Sequence, residues 1–206
     1  MKYKWLNKEA KNTKVVIFFN GWGMDENVVS HLNCENYDVL MFYDYNTLDT
    51  DFDFDMLEMY SEKNLIAWSM GVMVGGMRKW SPNSLKRAVA INGTLKPIDE
   101  KYGIHPKIYD LTIKGFNEKG RKRFISSMFE QNVEISCNRE IENQLSELIA
   151  LKNYKAIENF RYDKVIISNN DKIIPTKSQI AFWGIEPNLK GGHCPFFQFE
   201  KWSDLL

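Results

Sequence analysis

The sequence predicts an α/β fold, because strand-like and helix-like segments alternate along most of its 206 residues. The strand-like segments are continuous runs of β-branched, aliphatic and aromatic residues, of which residues 14–19 are the first. Unbroken apolarity is typical of strands that helices cover on both faces. We therefore expect a mostly parallel central sheet flanked by helices.

The individual elements follow from the same patterns. The first and fourth strands end in Asn-Gly, the third leads directly into Ser-Met-Gly, and the fifth ends in Asn-Asn-Asp. The last helix follows a proline, which favours a helix start with Thr176 as the cap. Strands are predicted at residues 14–19, 37–43, 64–68, 88–91 and 164–168, and helices at residues 25–32, 70–80 and 176–183.

Residues 107–160 interrupt this alternation. They are rich in lysine and arginine, they predict helices over residues 119–131 and 139–151, and they contain no convincing strand. A helical insertion between the fourth and fifth strands is expected to cover the active edge of the sheet as a cap. Because the chain has no repeat, low-complexity segment or linker, residues 1–206 are predicted to form a single domain that includes this cap.

Composition excludes several classes of protein. With 44% hydrophobic and 14% aromatic residues, the chain is not globally disordered. Its 27 basic and 27 acidic residues balance, which argues against a nucleic-acid-binding protein. No apolar run approaches the roughly 20 residues of a membrane span, and the first residues lack an apolar signal core. The three cysteines have neither the spacing of a disulfide framework nor that of a zinc site, which is typical of a reducing compartment. A cytoplasmic protein is therefore predicted.

The segment Ala67-Trp68-Ser69-Met70-Gly71-Val72 contains the strongest chemical signal. A serine at a tight turn between a buried strand and a helix is a nucleophile elbow, which lifts the hydroxyl above the sheet. Small residues are needed two positions before and after the serine. Gly71 meets this need, and Ala67 stands where glycine is usual. The alternative interpretation is a serine that caps a core helix.

A nucleophilic serine needs a base, and the sequence offers three histidines. We interpret His31 and His105 as ordinary surface or packing residues. His193 follows Gly191-Gly192, and two glycines allow a loop to bring the imidazole over the edge of the sheet. His193 is therefore the predicted base.

A carboxylate should orient the histidine and stabilise its charged form. Asp171 comes directly after the fifth strand and is the predicted acid, whereas Asp163 lies at the opposite end of that strand. The resulting order of Ser69, Asp171 and His193 is the serine–acid–histidine order of α/β-hydrolases. The predicted fold is therefore an α/β-hydrolase whose helical cap is inserted before the strand that bears the acid.

An oxyanion hole needs two backbone N–H groups aimed at the developing negative charge. Met70, directly after the serine, is predicted to supply one, and Trp22, in the loop after the first strand, the other. Gly21-x-Gly23 could also begin a dinucleotide-binding fingerprint. That interpretation is poor, because the third glycine and the acidic residue that would bind the ribose are both lacking. No cofactor is predicted.

No metal is predicted either. The alternating aspartates from Asp49 to Asp55 suggest a calcium loop, but Phe54 stands where a loop begun at Asp49 needs glycine. Cys194 has no second ligand at a suitable spacing and is interpreted as a packing residue.

Four segments of the chain together resemble the BioG family of small α/β-hydrolases. They are Phe-Asn-Gly-Trp-Gly-Met-Asp at residues 19–25, Ala-Trp-Ser-Met-Gly-Val at 67–72, Ile-Asn-Gly-Thr at 91–94 and Gly-His-Cys-Pro-Phe at 192–196. Members of this family are pimeloyl-[acyl-carrier protein] methyl ester esterases of bacterial biotin synthesis. The resemblance extends over nearly the whole chain, with the cap matched only loosely.

This resemblance implies Ser69 as nucleophile, His193 as base and Asp171 as acid, with Trp22 and Met70 forming the anion site. The implied reaction is hydrolysis of the methyl ester on a pimeloyl chain held by the phosphopantetheine arm of an acyl-carrier protein. The resemblance implies no cofactor.

The cap gives this substrate some independent support. Its basic residues are expected to offer a face to an acidic carrier protein, and its apolar residues, with Trp22, to contact the acyl chain. A solvated helix face and ordinary core packing explain the same residues equally well. The basic residues are Lys114, Lys119, Arg121, Lys122, Arg123, Arg139, Lys152 and Lys155, and the apolar ones are Phe116, Phe124, Met128 and Phe129.

Two other functions are consistent with the same residues. One is a general short-chain esterase or thioesterase with the same triad. The other is a hydrolase-fold protein that only binds a partner through its cap.

Overall fold

The fold is described by a computed structural model, which covers residues 1–130, 135–155 and 160–206. Within these ranges six strands form one sheet, flanked by six α-helices and three short 3-10 helices. The strands are β1 (Lys2–Asn7), β2 (Lys14–Phe19), β3 (Tyr37–Tyr43), β4 (Glu62–Trp68), β5 (Arg87–Ile91) and β6 (Lys164–Ile166). The helices are α1 (Met70–Met77), α2 (Pro106–Gly115), α3 (Glu118–Ser127), α4 (Ile141–Leu151), α5 (Thr176–Trp183) and α6 (Trp202–Leu205).

The sheet has the order β1-β3-β2-β4-β5-β6, and strands β2 to β6 are parallel to one another. The predicted mostly parallel sheet is thus confirmed. Phe19 pairs with Ala67, Trp68 with Ile91, and Ile91 with Ile166, so four strands end side by side. Loops that leave this carboxyl edge can therefore meet above it.

Both faces of the sheet are buried, as the continuous apolar runs predicted. Val15, Ile17 and Phe19 of β2 pack into the cluster that contains α1 and the buried side of α4. The intervening Val16 and Phe18 pack on the opposite face. Each fully buried side chain of this size contributes roughly 1.5–3 kcal/mol to stability through its removal from water.

Strand β1 was missed by the sequence patterns. It is an edge strand, antiparallel to β3, and its first residues are exposed while Trp5 to Asn7 are half-buried. Because lysines interrupt its apolar residues, it carries no continuous apolar run.

The helix predicted at residues 25–32 is wrong, since only Glu26–Val28 forms a single 3-10 turn. The Asp25 carboxylate accepts from the backbone N–H groups of Asn27 at 3.1 Å and Asn138 at 2.7 Å. Such side-chain bonds to backbone compete with helix propagation.

The other predicted helices are present with shifted ends. The helix predicted at 70–80 ends at Met77, where the Trp80 indole donates to the Gly75 carbonyl. The predicted helices at 119–131 and 139–151 are Glu118–Ser127 and Ile141–Leu151, and residue 131 lies outside the described residues. The helix at Thr176–Trp183 has Pro175, not Thr176, at its N-cap position and has no side-chain cap.

The cap is inserted between β5 and β6, as predicted, and consists of α2, α3 and α4 with their connections. Its described residues contain no strand. None of the helices in the described part of the chain is long and apolar enough to cross a membrane.

Candidate active site

Ser69 stands between β4 and α1 in a strained backbone conformation, with φ 59° and ψ −125°. This region is unfavourable for a residue with a side chain and is typical of a nucleophile elbow. A Cβ on Gly71 would lie 2.3 Å from the Phe19 carbonyl oxygen, so the turn packs against β2 too closely for a larger residue. The predicted small residue after the serine therefore has a steric cause.

The structure brings Ser69, His193 and Asp171 together. His193 Nε2 lies 2.8 Å from Ser69 Oγ, and His193 Nδ1 lies 2.8 Å from Asp171 Oδ2. The three residues are 5%, 1% and 5% exposed. Because an ionised carboxylate only accepts, Nδ1 carries the proton and Nε2 is left to accept from the serine hydroxyl. This is the arrangement that general-base activation of a serine requires.

Asp171 is held by groups that the sequence patterns did not identify. Its Oδ1 accepts from the backbone N–H groups of Ile173 at 2.9 Å and Ile174 at 3.1 Å. Its Oδ2 accepts from Gln179 Nε2 at 2.8 Å, in addition to His193. These donors fix the orientation of the carboxylate beside His193. Asp163, at the other end of β6, instead accepts from the Ala88 N–H.

The backbone of His193 is held on two sides. Its carbonyl accepts from Trp68 Nε1 and from Asn92 Nδ2, both at 2.9 Å. On the cap side, a Cβ on Gly192 would lie 2.5 Å from the Met128 carbonyl oxygen, so only glycine allows this approach. These contacts fix the loop that carries the imidazole.

Asn92 supports the loop that carries His193 through several hydrogen bonds, and it was not identified from the sequence as a site residue. It is fully buried at the end of β5, accepts from the Ser168 N–H at 2.7 Å, and donates to Ser168 Oγ and to the Gly192 and His193 carbonyls. Its place in the Asn-Gly pair after the fourth predicted strand, within the Ile-Asn-Gly-Thr segment at residues 91–94, was the available signal. A turn motif alone does not reveal such long-range partners.

Replacing Asn92 with alanine is expected to lower kcat for ester hydrolysis by roughly 10- to 100-fold, with little change in KM. The reason is that unpaired buried carbonyls, at about 1–3 kcal/mol each, would let the histidine loop shift. Steady-state kinetics and a thermal melt check this. Asn64→Ala, which removes a buried asparagine at the far end of β4, is the control. Equal losses of kcat in the two variants would contradict a role in holding His193.

The two amides predicted for the oxyanion hole both border the cavity above Ser69. Trp22 follows the end of β2 and Met70 begins α1, and both line the cavity together with Ser69. Neither backbone N–H donates to another of the described residues. Both are therefore available to a negatively charged oxygen.

The cavity has a volume of about 810 Å³ and lies between the sheet edge and the cap. Helices α2, α3 and α4 form most of its walls, and Lys172 and Ile173 close it beside the acid. Trp22, Phe124 and Arg123, which the sequence predicted to contact a substrate, are among its lining residues. Most of its lining surface comes from apolar groups, among them Ile104, Ile108, Leu111, Phe116 and Leu148.

Three residues predicted to contact substrate, Met128, Phe129 and Arg121, do not line this cavity. Phe129 packs against the same core cluster as Met128. The Met128 side chain is 1% exposed and packs in the core cluster on the opposite face of the sheet. The Arg121 guanidinium donates to the carbonyls of Cys137 at 2.7 Å and Arg139 at 3.1 Å. The position of each residue along the helix decides where its side chain points. Met128, directly after α3, faces the sheet, and Arg121 of α3 faces the segment before α4.

The basic residues of the cap differ in their surroundings, and Lys114, Lys122 and Lys155 are exposed without lining the cavity. Arg139 is buried in ion pairs with Glu147 and Asp44, and Lys152 pairs with Asp110. Lys119 and Arg123 are exposed and line the cavity. Lys172, outside the cap, joins them there and was not anticipated from the sequence.

Cys194 and the aspartates between residues 49 and 55, which were considered above as thiol or metal sites, have the following surroundings. Burial raises the pKa of Cys194 to about 12, so its thiol stays protonated at neutral pH. Asp53 caps the 3-10 helix Phe54–Met59. Among residues 1–130, 135–155 and 160–206, no group of three or more histidine, cysteine, aspartate or glutamate side chains is placed to hold a metal ion.

A mostly parallel sheet, an elbow serine after a central strand, and a carboxylate and histidine from the following loops together define the α/β-hydrolase class. Comparison with solved structures agrees with this class. The crystal structure of a Burkholderia cenocepacia protein has a TM-score of 0.65 at 14% identity, with 95% of this chain and 88% of that chain covered. At this identity the likeness shows the fold alone.

The chain belongs to the BioG family, because the family described as pimeloyl-ACP methyl esterase BioG matches residues 1–205. The crystal structure of BioG from Haemophilus influenzae is 30% identical with a TM-score of 0.87, and the match covers 100% of this chain and 99% of that one. Family and fold together show an ester-processing enzyme of the hydrolase class.

Two curated relatives differ in how much of their length this chain spans. An uncharacterized protein of Haemophilus influenzae is 32% identical over 218 residues, with 100% of this chain and 99% of that protein covered. A malonyl-[acyl-carrier protein] O-methyltransferase of Bacteroides fragilis is 38% identical over 188 residues, which cover 86% of this chain but 37% of that protein. The chain therefore spans little more than a third of the second relative.

Proposed function

We propose that this protein hydrolyses the methyl ester of a pimeloyl chain carried by acyl-carrier protein, as a step of biotin synthesis. One observation carries the proposal. In a member of the BioG family, the hydroxyl of Ser69 lies 2.8 Å from His193 Nε2 and borders a largely apolar cavity of about 810 Å³. A cavity of this size is in the usual range for a small-molecule site.

The geometry supports a two-step reaction through an acyl-enzyme. His193 Nε2 takes the Ser69 proton as Oγ attacks the ester carbonyl, and the N–H groups of Trp22 and Met70 stabilise the oxyanion. His193 then returns the proton to the methoxy oxygen, and methanol leaves. A water molecule, deprotonated by His193, attacks the acyl-enzyme, and the product carboxylate and the free serine result. Asp171 stabilises the imidazolium in both steps.

The walls of the cavity match a long acyl chain attached to an acidic carrier. Phe116, Phe124 and Leu148 offer apolar contacts for methylene groups. Lys119, Arg123 and Lys172 place positive charge around the same cavity. Such charges suit both the phosphate of a phosphopantetheine arm and an acidic protein surface.

The methyltransferase relative supports the chemical class of the substrate. Its name describes methyl transfer to malonyl-[acyl-carrier protein], and O-methylation of the free carboxyl would produce a methyl ester on a carrier-bound acyl chain. An esterase region similar to this chain would remove the ester group that such a transfer creates.

Neutralising the charges of the cavity tests the carrier-protein substrate. For Lys119→Gln/Arg123→Gln/Lys172→Gln we expect KM for pimeloyl-[acyl-carrier protein] methyl ester to rise roughly 10-fold or more, because three attractive charges are lost. Hydrolysis of p-nitrophenyl butyrate should stay within roughly two-fold of wild type, since this ester has no carrier. The measurement is steady-state kinetics on both substrates at one salt concentration.

Lys8→Gln/Lys11→Gln/Lys86→Gln is the matched control, because these exposed lysines lie at the opposite edge of the sheet. A general esterase would hydrolyse the small ester at least as fast as the carrier substrate and would be insensitive to both triple variants. A protein that only binds a partner would hydrolyse neither. Either result would contradict the proposed function.

A further inference from the structure

The loop that carries the proposed oxyanion donor Trp22 is held by the cap helix α4. Trp22 Nε1 donates to the Gln144 carbonyl at 2.8 Å, and Gln144 Nε2 donates to the Gly23 carbonyl at 2.6 Å. Cys137 Sγ also lies 3.1 Å from the Gly23 carbonyl oxygen. The Trp22-Gly23 segment is therefore tied to residues more than 100 positions away.

Glu147, on the same helix, accepts a hydrogen bond from the backbone N–H of Gly23. Its side chain is fully buried, and Oε2 accepts from the Gly23 N–H at 3.1 Å, while Oε1 accepts from the Tyr45 N–H at 2.8 Å. Arg139 donates to the same carboxylate at 2.6 Å and lies 3.3 Å from Asp44. The carboxylate thus joins the loop after β2 to the segment after β3.

These bonds determine the direction of the Trp22 amide. The peptide before Trp22 is held by the Met24 N–H, which donates to the Gly21 carbonyl at 3.3 Å. The peptide after it is held by Glu147 through the Gly23 N–H. With both peptides fixed, the backbone angles of Trp22 are fixed as well, and Gly23 takes the positive φ of 71° that the turn needs.

Stability alone is a weak reason for a buried ion pair at this position. Taking two charges out of water costs several kcal/mol each, and well-packed apolar residues often stabilise a core as well or better. Burial raises the pKa of Glu147, while Arg139 and two backbone N–H groups favour its ionised form. An apolar side chain cannot accept from the Gly23 N–H. The carboxylate supplies that hydrogen bond, and Arg139 balances a charge that would otherwise oppose an oxyanion nearby.

We infer that Glu147 is a positioning residue, which aims the Trp22 amide at the oxyanion of ester hydrolysis, with Arg139 neutralising its charge. Gln144 has the same role through the Gly23 carbonyl. This inference rests on the proposed function, in that it assumes that Ser69 attacks an ester. It adds that the cap helix α4 helps to build the catalytic site as well as covering it.

The test compares Glu147→Met with wild type on p-nitrophenyl butyrate. Methionine has a similar length but no carboxylate oxygen, so the Gly23 N–H and the Tyr45 N–H both lose their acceptor. Because loss of a whole oxyanion donor lowers kcat by about 10²–10³, misplacement of one is expected to lower it roughly 10- to 100-fold, with KM within about three-fold. Affinity for an alkyl trifluoromethyl ketone, which places an oxyanion on the same amides, should fall in parallel. Affinity for the corresponding methyl ketone should not change.

Two further variants make the test decisive. Gln144→Met removes a buried oxygen that has no partner among the described residues, so this variant is expected to fold. It also removes the hydrogen bond to the Gly23 carbonyl and is therefore expected to lower kcat about 3- to 10-fold. Leu151→Ala loses a fully buried side chain of α4 and controls for general destabilisation. If folded Glu147→Met and Gln144→Met both keep wild-type kcat, or if Leu151→Ala loses as much, the inference is overturned.

Failure of the inference can be told apart from failure of the proposed function. If the wild-type protein does not hydrolyse pimeloyl-[acyl-carrier protein] methyl ester but does hydrolyse p-nitrophenyl butyrate, the proposed substrate is wrong and the role of Glu147 is still decided on the small ester. If Ser69 never reacts with a fluorophosphonate, both fail. If only the Glu147 and Gln144 variants behave as wild type, the inference alone fails.

Discussion

Ser69→Ala is expected to lower kcat for ester hydrolysis by roughly 10⁴- to 10⁶-fold without unfolding the protein, because no other nucleophile borders His193 Nε2 at hydrogen-bond distance among the described residues. Alanine tolerates the elbow conformation about as well as serine does, since both carry a Cβ at the same φ of 59°. Thermal melts of the two proteins should therefore agree within a few degrees. Turnover of pimeloyl-[acyl-carrier protein] methyl ester is the activity to measure.

Covalent labelling gives the same prediction an independent readout. A fluorophosphonate should label the wild type once and leave Ser69→Ala unlabelled, while Ser30→Ala, which alters an exposed serine far from the cavity, should be labelled as the wild type is. Labelling or near-normal turnover in Ser69→Ala would mean that another residue is the nucleophile. The acyl-enzyme mechanism would then have to be abandoned.

Asp171→Asn is expected to lower kcat by roughly 10³- to 10⁴-fold, and the reason can be read from its partners. The introduced amide must keep its oxygen toward the N–H groups of Ile173 and Ile174, which donate to Asp171 Oδ1. Its NH₂ group then faces His193 Nδ1. A donor at that position favours the tautomer with the proton on Nε2, which cannot accept the proton of Ser69.

The fold should survive this substitution. Gln179 Oε1 is a buried oxygen without a hydrogen-bond partner among the described residues, so the Gln179 amide can turn and accept from the new NH₂ group. The turn gives up only the hydrogen bond from Gln179 Nε2 to the Ile174 carbonyl. Asp163→Asn is the control, because Asp163 caps the opposite end of β6. Steady-state kinetics beside circular dichroism would separate activity from folding. Turnover within ten-fold of wild type in Asp171→Asn would show that a different group orients His193.

Much of the framework could be predicted from local patterns. Strands β2 to β6 are covered on both faces, so each is a run of apolar residues that is visible in the sequence alone. Strand β1 lies at the edge with its first residues exposed, and its lysines hide it from the same criterion. The helix expected at residues 25–32 failed because Asp25 bonds to nearby backbone and to Asn138, a partner that no local pattern reveals.

The residues of the candidate site likewise include some that local patterns reveal and others that they do not. Residues Ser69, Asp171 and His193 could be proposed because each follows a recognisable turn and because their order along the chain is informative. The positioning roles of Gln179, Asn92 and Glu147 could not be proposed, since each acts through hydrogen bonds to particular distant atoms. Gln179 and Glu147 stand in no distinctive motif, and the segment that contains Asn92 gives it no role. The cap shows the difference most clearly. Arg121, Arg123 and Arg139 look alike in the sequence, yet only Arg123 lines the cavity.

The amino-acid sequence by itself determined the fold class, the parallel sheet and the order in which the proposed nucleophile, acid and base occur. Apolar periodicity and turn residues are local properties, and burial acts on them in the same way wherever the segment lies. The tertiary structure alone decided which cap side chains face the cavity and which groups hold Trp22, Asp171 and His193 in place. Such choices depend on close packing between segments far apart in the chain, where an ångström or one helical position changes the partner.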